Sequence, residues 1–284
     1  MRETNPAKAW RDKSAPKRIL AIRTQAMGDV MITLPYLQHL RRSLPSSVKL
    51  DLLTRVETDP IPRNIDLFDR IYSIGGGRRQ KLIFVLALLK LPRLLLRRYD
   101  VVIDLQNNRY SEIIRRVLRP KAWSVFDKRS PIAAGERTRL TIEAVGLGKC
   151  VLDTAFRLKG GDKGLRLLRE AGWNGSDELV VLNPAGLNAT RNWPIQNYVD
   201  FAWRWLERRP ATRFLVLGTA FIDKKRERLK EALGESLFDL VGRTTPVEAF
   251  EILQRATMVL SEDSGLMHMA WVSGIPTLAL FGSS

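Results

Sequence analysis

Three short stretches carry residues able to do chemistry, and each lies where an apolar run gives way to a helical pattern. In Met27-Gly28-Asp29 the Asp29 carboxylate has two uses. It can take a proton from an attacking hydroxyl, as a general base does when ionised and within hydrogen-bond reach. It can equally cap the helix that begins near Val30, satisfying orphan amides and favouring the helix dipole. Asp263-Ser264-Gly265 leads into a second helix, which carries His268. Backbone amides at that helix start, unobstructed at Gly265, can cradle a phosphate or pyrophosphate. Ser264 adds a hydroxyl donor and Asp263 can cap the helix, while His268, about one turn in, either donates to a phosphate or packs against the sheet. The third stretch, Arg191-Asn192-Trp193-Pro194, closes a loop that Asn183-Pro184-Ala185-Gly186 opens. Arg191 there either neutralises a diphosphate leaving group or is a surface arginine beside a packed tryptophan.

Several chemistries are excluded. Cys150 is the single cysteine and His39 and His268 are the two histidines, so neither a thiolate zinc site nor a multi-histidine metal centre can form. The lone cysteine also suits a reducing compartment. Neither a P-loop nor a G-x-G-x-x-G fingerprint occupies a strand-helix junction, which removes the NTPase and dehydrogenase readings. No Asp-x-Asp pair of the kind used in metal-dependent glycosyl transfer occurs; Asp66 and Asp69 are three apart, and Asp100 and Asp104 flank a strand. A net charge of +17 and a pI near 10.5 call for an anionic partner, and nucleic acid, acidic lipid and phosphorylated sugars all qualify. Nucleic acid is set aside, because neither a recognised binding motif nor a base-stacking platform accompanies the charge.

The elements that must position these residues follow from hydrophobic periodicity. Buried-strand runs at 18–23, 48–54, 70–74 and 101–105 alternate with helical patterns, the first of them 29–44, as a parallel sheet with covering helices requires. A glycine-containing polar stretch, with a helical piece at 165–170, precedes a second series of strands at 179–183, 213–218, 237–241, 258–261 and 277–281. Helical patterns at 195–209, 224–233, 247–255 and 265–272 intervene. The expectation is α/β, with two Rossmann-like, doubly wound domains at 1–175 and 176–284, facing a cleft lined by the loops that follow their strands. Residues 1–17 are polar and basic, lack the apolar core of a secretory signal, and are expected to form a flexible arm. The apolar segment 82–96 is interrupted by Lys90, Pro92 and Arg93 and is shorter than the ~20 residues a membrane helix needs. Its basic flanks (Arg78, Arg79, Lys81, Arg97, Arg98) leave two readings, a helix lying on an anionic membrane face or a core helix with basic ends.

The stretch Ile22-Arg23-Thr24-Gln25-Ala26-Met27-Gly28-Asp29-Val30, followed by Thr33-Leu34-Pro35, resembles the opening of glycosyltransferase family 9, the bacterial lipopolysaccharide heptosyltransferases. Ser261-Glu262-Asp263-Ser264-Gly265-Leu266-Met267-His268-Met269-Ala270, then Gly274-Ile275-Pro276-Thr277 and Leu280-Phe281-Gly282, is similar to that family's nucleotide-sugar motif. Arg191-Asn192-Trp193-Pro194 sits where the family has a basic residue shortly before Trp-Pro. The resemblance implies a GT-B fold and an inverting, metal-independent transfer of heptose from an ADP-sugar to a lipopolysaccharide core, with no cofactor beyond the donor. The acceptor is expected on the N-terminal domain and the donor on the C-terminal one. Asp29 is then the general base, while Asp263, Ser264, Gly265, His268 and Arg191 form the nucleotide-sugar-binding set. It further implies a cytoplasmic protein acting at the inner face of the inner membrane, on an anionic glycolipid. Three departures stand out: Arg191 replaces a lysine, Gln25 and Ala26 replace small hydroxyl residues, and the family continues past Phe281-Gly282, so a short C-terminal segment is expected. A relative that moves another sugar to another glycan, or a non-catalytic nucleotide-sugar-binding relative, carries the same motifs.

Overall fold

Two sheets with aliphatic central strands buried on both faces lie one in each of the units into which the chain divides, Met1–Arg157 and Leu158–Ser284. The computed structural model describes residues 6–186 and 192–282. In the first unit, β1 (Ala7–Lys8), β2 (Arg18–Ile22), β3 (Lys49–Arg55), β4 (Arg70–Ile74), β5 (Val101–Asp104) and β6 (Ala122–Val125) are ordered β1-β6-β5-β2-β3-β4. All neighbours are parallel except β1, which runs antiparallel to β6 with Ala7 opposite Ser124. Helices α1 (Met27–Ser43), α2 (Pro60–Asn64), α3 (Gln80–Leu88), α4 (Leu91–Leu95), α5 (Arg109–Leu118) and α6 (Ala134–Glu143) connect or follow these strands.

The second unit repeats the plan. Its strands β7 (Leu179–Asn183), β8 (Arg213–Val216), β9 (Leu237–Asp239), β10 (Met258–Glu262) and β11 (Thr277–Leu280) are all parallel, in the order β11-β10-β7-β8-β9. The helices are α7 (Lys163–Glu170), α8 (Ile195–Arg208), α9 (Asp223–Leu233), α10 (Pro246–Leu253) and α11 (Gly265–Val272). Its core gathers Val180, Leu182, Tyr198, Phe214, Leu229 and Leu260. Local chemistry fixes the helix starts: Thr245 and Glu248 form a reciprocal capping box on α10, as Asn108 and Ser111 do on α5.

Three expectations change. The units part at 157/158 rather than 175/176, because α7 packs on α10 and the Gly164 N–H donates to Glu251 Oε2 at 2.8 Å. The part of the basic arm from residue 6 onward is held rather than flexible. Edge strand β6 offers unpaired backbone groups, and β1 takes them up. The Pro6 carbonyl accepts the Val125 N–H, the Trp10 N–H donates to the Val145 carbonyl, and Lys121 stacks on the Trp10 ring at 5.5 Å. The helix after β2 starts at Met27, ahead of the expected start near Val30, so Asp29 lies inside its first turn rather than before it.

Candidate functional site

Each sheet winds outward from its first parallel strand, then returns to that strand's other side, so β2 and β5 in one unit, and β7 and β10 in the other, flank a topological switch point. Loops beyond the carboxyl ends of strands at such a point are where open α/β sheets bind ligands. The described candidate site residues, Asp29, Asp263, Ser264, Gly265 and His268, fall at one or other of these two places.

In the first unit, Ile22 lies in register with Asp104, which brings Arg23 and Thr24 alongside Leu105 and Gln106. Asp29 is the third residue of α1, and its Oδ2 accepts the Ala26 N–H at 2.9 Å, so the capping reading holds in part, from inside the helix. Its Oδ1 pairs with Arg23 Nη2 at 2.8 Å, the two side chains being 40% and 7% exposed. Arg23 is itself fixed: its Nη1 donates to the Leu105 carbonyl, and its guanidinium lies 4.9 Å from the centre of the Phe126 ring, over which Arg137 also stacks. Burial pushes the Arg23 guanidinium below its usual range, and Asp29 opposes that shift. The Asp29 carboxylate is thus oriented by one contact to each oxygen while remaining open to solvent. A second lone pair on each oxygen is left for another donor.

The neighbouring loop braces this corner. Gln106 Oε1 accepts the Thr24 and Gln25 N–H groups at 2.8 and 3.2 Å. The fully buried Asp104 carboxylate accepts from Gln106 N, Asn107 N and Ser111 Oγ, and burial raises its proton affinity.

In the second unit, Ser264, not Asp263, caps α11. Its Oγ accepts the Met267 N–H at 3.3 Å and Asn183 Nδ2–H at 2.7 Å, leaving its own proton to donate elsewhere. Asp263 is exposed beside it, Gly265 is the first helical residue, and His268 is half-buried, its N–H on the Ser264 carbonyl at 3.4 Å. Asp263, Ser264, Gly265 and His268 are therefore brought together, and the amide-rich start of α11 can receive an anion. Arg191 lies outside the described residues.

Sequence reasoning gave no role to Glu262, which the fold places at the centre of this corner. Its side chain is fully enclosed at the end of β10. Oε2 accepts the Gly186 N–H at 2.6 Å and pairs with Lys225 Nζ at 3.3 Å, while Oε1 accepts the Trp193 N–H at 2.8 Å. Lys225, from α9, also donates to the Pro184 carbonyl at 2.7 Å. Glu262 thereby holds both ends of the segment between β7 and α8. Glycine at 186 permits this approach, since a Cβ there would lie 2.7 Å from Glu262 Oε2 and closer still to Asn192 Oδ1, and those side chains would have to shift. A carboxylate at the end of a largely apolar strand, after Ser261, was the one local signal. Among the described residues, no three His, Cys, Asp or Glu side chains converge to hold a metal ion.

The model of glycosyltransferase family 9 (heptosyltransferase) matches residues 161–284. Lipopolysaccharide heptosyltransferase 1 of Pseudomonas aeruginosa is 25% identical, over 93% of this chain and 78% of its own length. The chain is similar to glycosyltransferase family 9, over residues 161–284 by the family model and over most of its length by this relative. Solved structures extend the match to the fold. The family 9 glycosyl transferase of Veillonella parvula superposes with a TM-score of 0.76 at 15% identity, covering 93% of this chain and 80% of the other. The E. coli heptosyltransferase WaaC with ADP-2-deoxy-2-fluoro heptose superposes with a TM-score of 0.69 at 22% identity, covering 92% and 88%. The fold class is therefore GT-B, α/β with two parallel-sheet domains, as expected from sequence.

Proposed function

We propose that this glycosyltransferase moves a heptose from an ADP-sugar to a lipopolysaccharide core acceptor, by a single inverting displacement that uses no metal and no cofactor beyond the donor. The observation that carries the reading is the Asp29 carboxylate, oriented at a switch-point loop by Arg23 and the Ala26 N–H yet 40% exposed. In the reaction Asp29 takes the proton of an acceptor hydroxyl as that oxygen bonds to the anomeric carbon. The carbon–oxygen bond to the diphosphate breaks on the opposite face, and ADP leaves with the electron pair. Attack from the face opposite the leaving group inverts the anomeric centre.

Leaving-group charge is met by positive groups. The Ser264-capped start of α11 offers amides and a hydroxyl proton, His268 lies one turn further on, and Arg191 supplies a guanidinium. Asp263 stands at the same loop, exposed and able to accept from donor hydroxyls. The likeness to lipopolysaccharide heptosyltransferase 1 and to a structure bound to an ADP-heptose analogue supports the choice of sugar, nucleotide and acceptor; a cytoplasmic site of action is part of the same proposal.

The test is transfer from ADP-heptose to truncated core lipopolysaccharide, followed by mass spectrometry, for the wild-type chain and Asp29→Asn. Loss of a general base is expected to lower turnover by about 10²–10⁴-fold with ADP binding retained. Undiminished transfer by Asp29→Asn would remove Asp29 from the mechanism, and failure of the wild type to bind ADP would overturn the reading as a whole.

A further inference from the structure

We propose that Asn183 is a positioning residue that turns the Ser264 hydroxyl proton toward the diphosphate of the donor, an inference that rests on the donor lying at the start of α11. Asn183 ends β7 in register with Ser261 of β10, and it is fully buried between Ser261 and Ser264. The Ser261 hydroxyl donates to the Glu262 carbonyl at 2.7 Å, so its oxygen can receive a proton but has none left to give. Asn183 Nδ2 lies 2.7 Å from that oxygen and is therefore the donor to it. The second proton of the same NH₂ goes to Ser264 Oγ, also at 2.7 Å. Turning the amide over would set Oδ1 against the Ser261 oxygen and enclose two unpaired N–H groups, where Oδ1 alone now lacks a partner. A buried carbonyl left short of a partner is tolerated better than buried N–H groups are.

Ser264 Oγ also accepts the Met267 N–H at 3.3 Å, which occupies its second lone pair. Its proton can return neither to Asn183 nor to the helix amide, and among the described residues nothing else accepts it. Ser264 is half-buried, so that proton is held outward at the amide-rich start of α11, where an anion is the fitting acceptor. The Glu262 carbonyl thus sets Ser261, Ser261 sets Asn183, and Asn183 sets Ser264. No bond is made or broken along these contacts. They supply a hydroxyl already in its donating orientation, with no reorganisation left for the moment at which ADP departs.

The experiment is a double-mutant cycle on ADP binding to the full chain, read by titration calorimetry for wild type, Asn183→Asp, Ser264→Ala and the pair, with thermal unfolding followed for each. Asn183→Asp keeps the shape but can only accept, so it draws the Ser264 proton inward and adds a negative charge. With Ser264→Ala present, only the charge acts. Asn183→Asp is therefore expected to weaken ADP about 100-fold alone and about tenfold in the Ser264→Ala background, the difference being about that of one hydrogen bond to a charged group. Asn183→Ala adds no charge and covers the case of a carboxylate variant that does not fold. It is expected to weaken ADP about threefold alone and not at all beside Ser264→Ala. Equal losses in the two backgrounds, the mark of a merely structural residue, or variants that bind ADP like wild type, would overturn the proposal and leave the donor reading standing. Absence of ADP binding by the wild type would overturn both.

Discussion

Replacing Glu262 with alanine tests whether the second switch-point corner is built around one carboxylate. The side chain receives two backbone N–H groups, from Gly186 and Trp193, and pairs with Lys225, all at 2.6 to 3.3 Å. A hydrogen bond to a charged group contributes about 1.5–3 kcal/mol, and breaking a buried ion pair from one side typically costs about 3–5 kcal/mol. The lower part of that range applies, because the Lys225 side chain is 23% exposed and water can reach its ammonium. A loss of about 3–4 kcal/mol is therefore expected for Glu262→Ala. Glu262→Gln keeps one carbonyl oxygen but turns an NH₂ toward a donor, so about half that loss is expected. Urea unfolding followed by tryptophan fluorescence reads the effect well, since Trp173, Trp193, Trp203, Trp205 and Trp271 all lie in the second unit. With a slope of about 1.5 kcal/mol/M, the midpoint of that unit should fall by about 2–3 M for alanine. A fall corresponding to less than about 1 kcal/mol would mean that water replaces the carboxylate at little expense, and the account of Glu262 as the organiser of this loop would fail.

Two further outcomes follow from packing. Gly164→Ala should destabilise by about 1–3 kcal/mol despite the helix-favouring nature of alanine, because the new methyl would meet the Glu248 carbonyl oxygen at 2.5 Å and the Glu248 Cα at 3.1 Å. A raised thermal midpoint would refute the tight seating of α7 on α10. Burial, aided by Glu143, raises the Cys150 thiol from 9.0 to about 12. At pH 8 the folded chain should then hold about a thousandfold less thiolate than an exposed cysteine, and iodoacetamide should label it only after denaturation. The protonated thiol is favoured by the fold, so this contribution to stability is intact below pH 9 and is lost as pH rises toward 12. Rapid labelling of native protein at pH 8 would refute the enclosure.

What could be read from sequence was what local periodicity encodes. Strands such as β4 and β7, and helix α11, fall where their apolar patterns place them, because buried parallel strands and helix-start residues leave a signature within a few positions. Elements whose burial is polar or very short escaped. The buried face of α6 includes Thr138 and Thr141, whose hydroxyls bond back to the helix carbonyls, so no hydrophobic stripe announces it. Four-residue β6 contains a serine and a tryptophan and is too short to establish a period. The unit boundary was displaced because the glycines around α7 imitate a linker, while what decides its membership is a contact with Glu251, 87 residues further on. At the candidate site, residue types and loop positions were legible for Asp29 and Ser264. The parts played by Arg23 and Glu262 were not, since their partners Leu105, Gly186 and Trp193 lie far away along the chain.

The repeated winding has an evolutionary reading. Each unit reverses its strand order once, by itself, and carries its chemical residues on loops beside that reversal. A crossover between related genes near residue 157 would exchange one whole half and leave the hydrogen-bond ladder of the other unbroken. Lineages can thus sample a new version of one half against a retained version of the other, with selection acting on one half at a time.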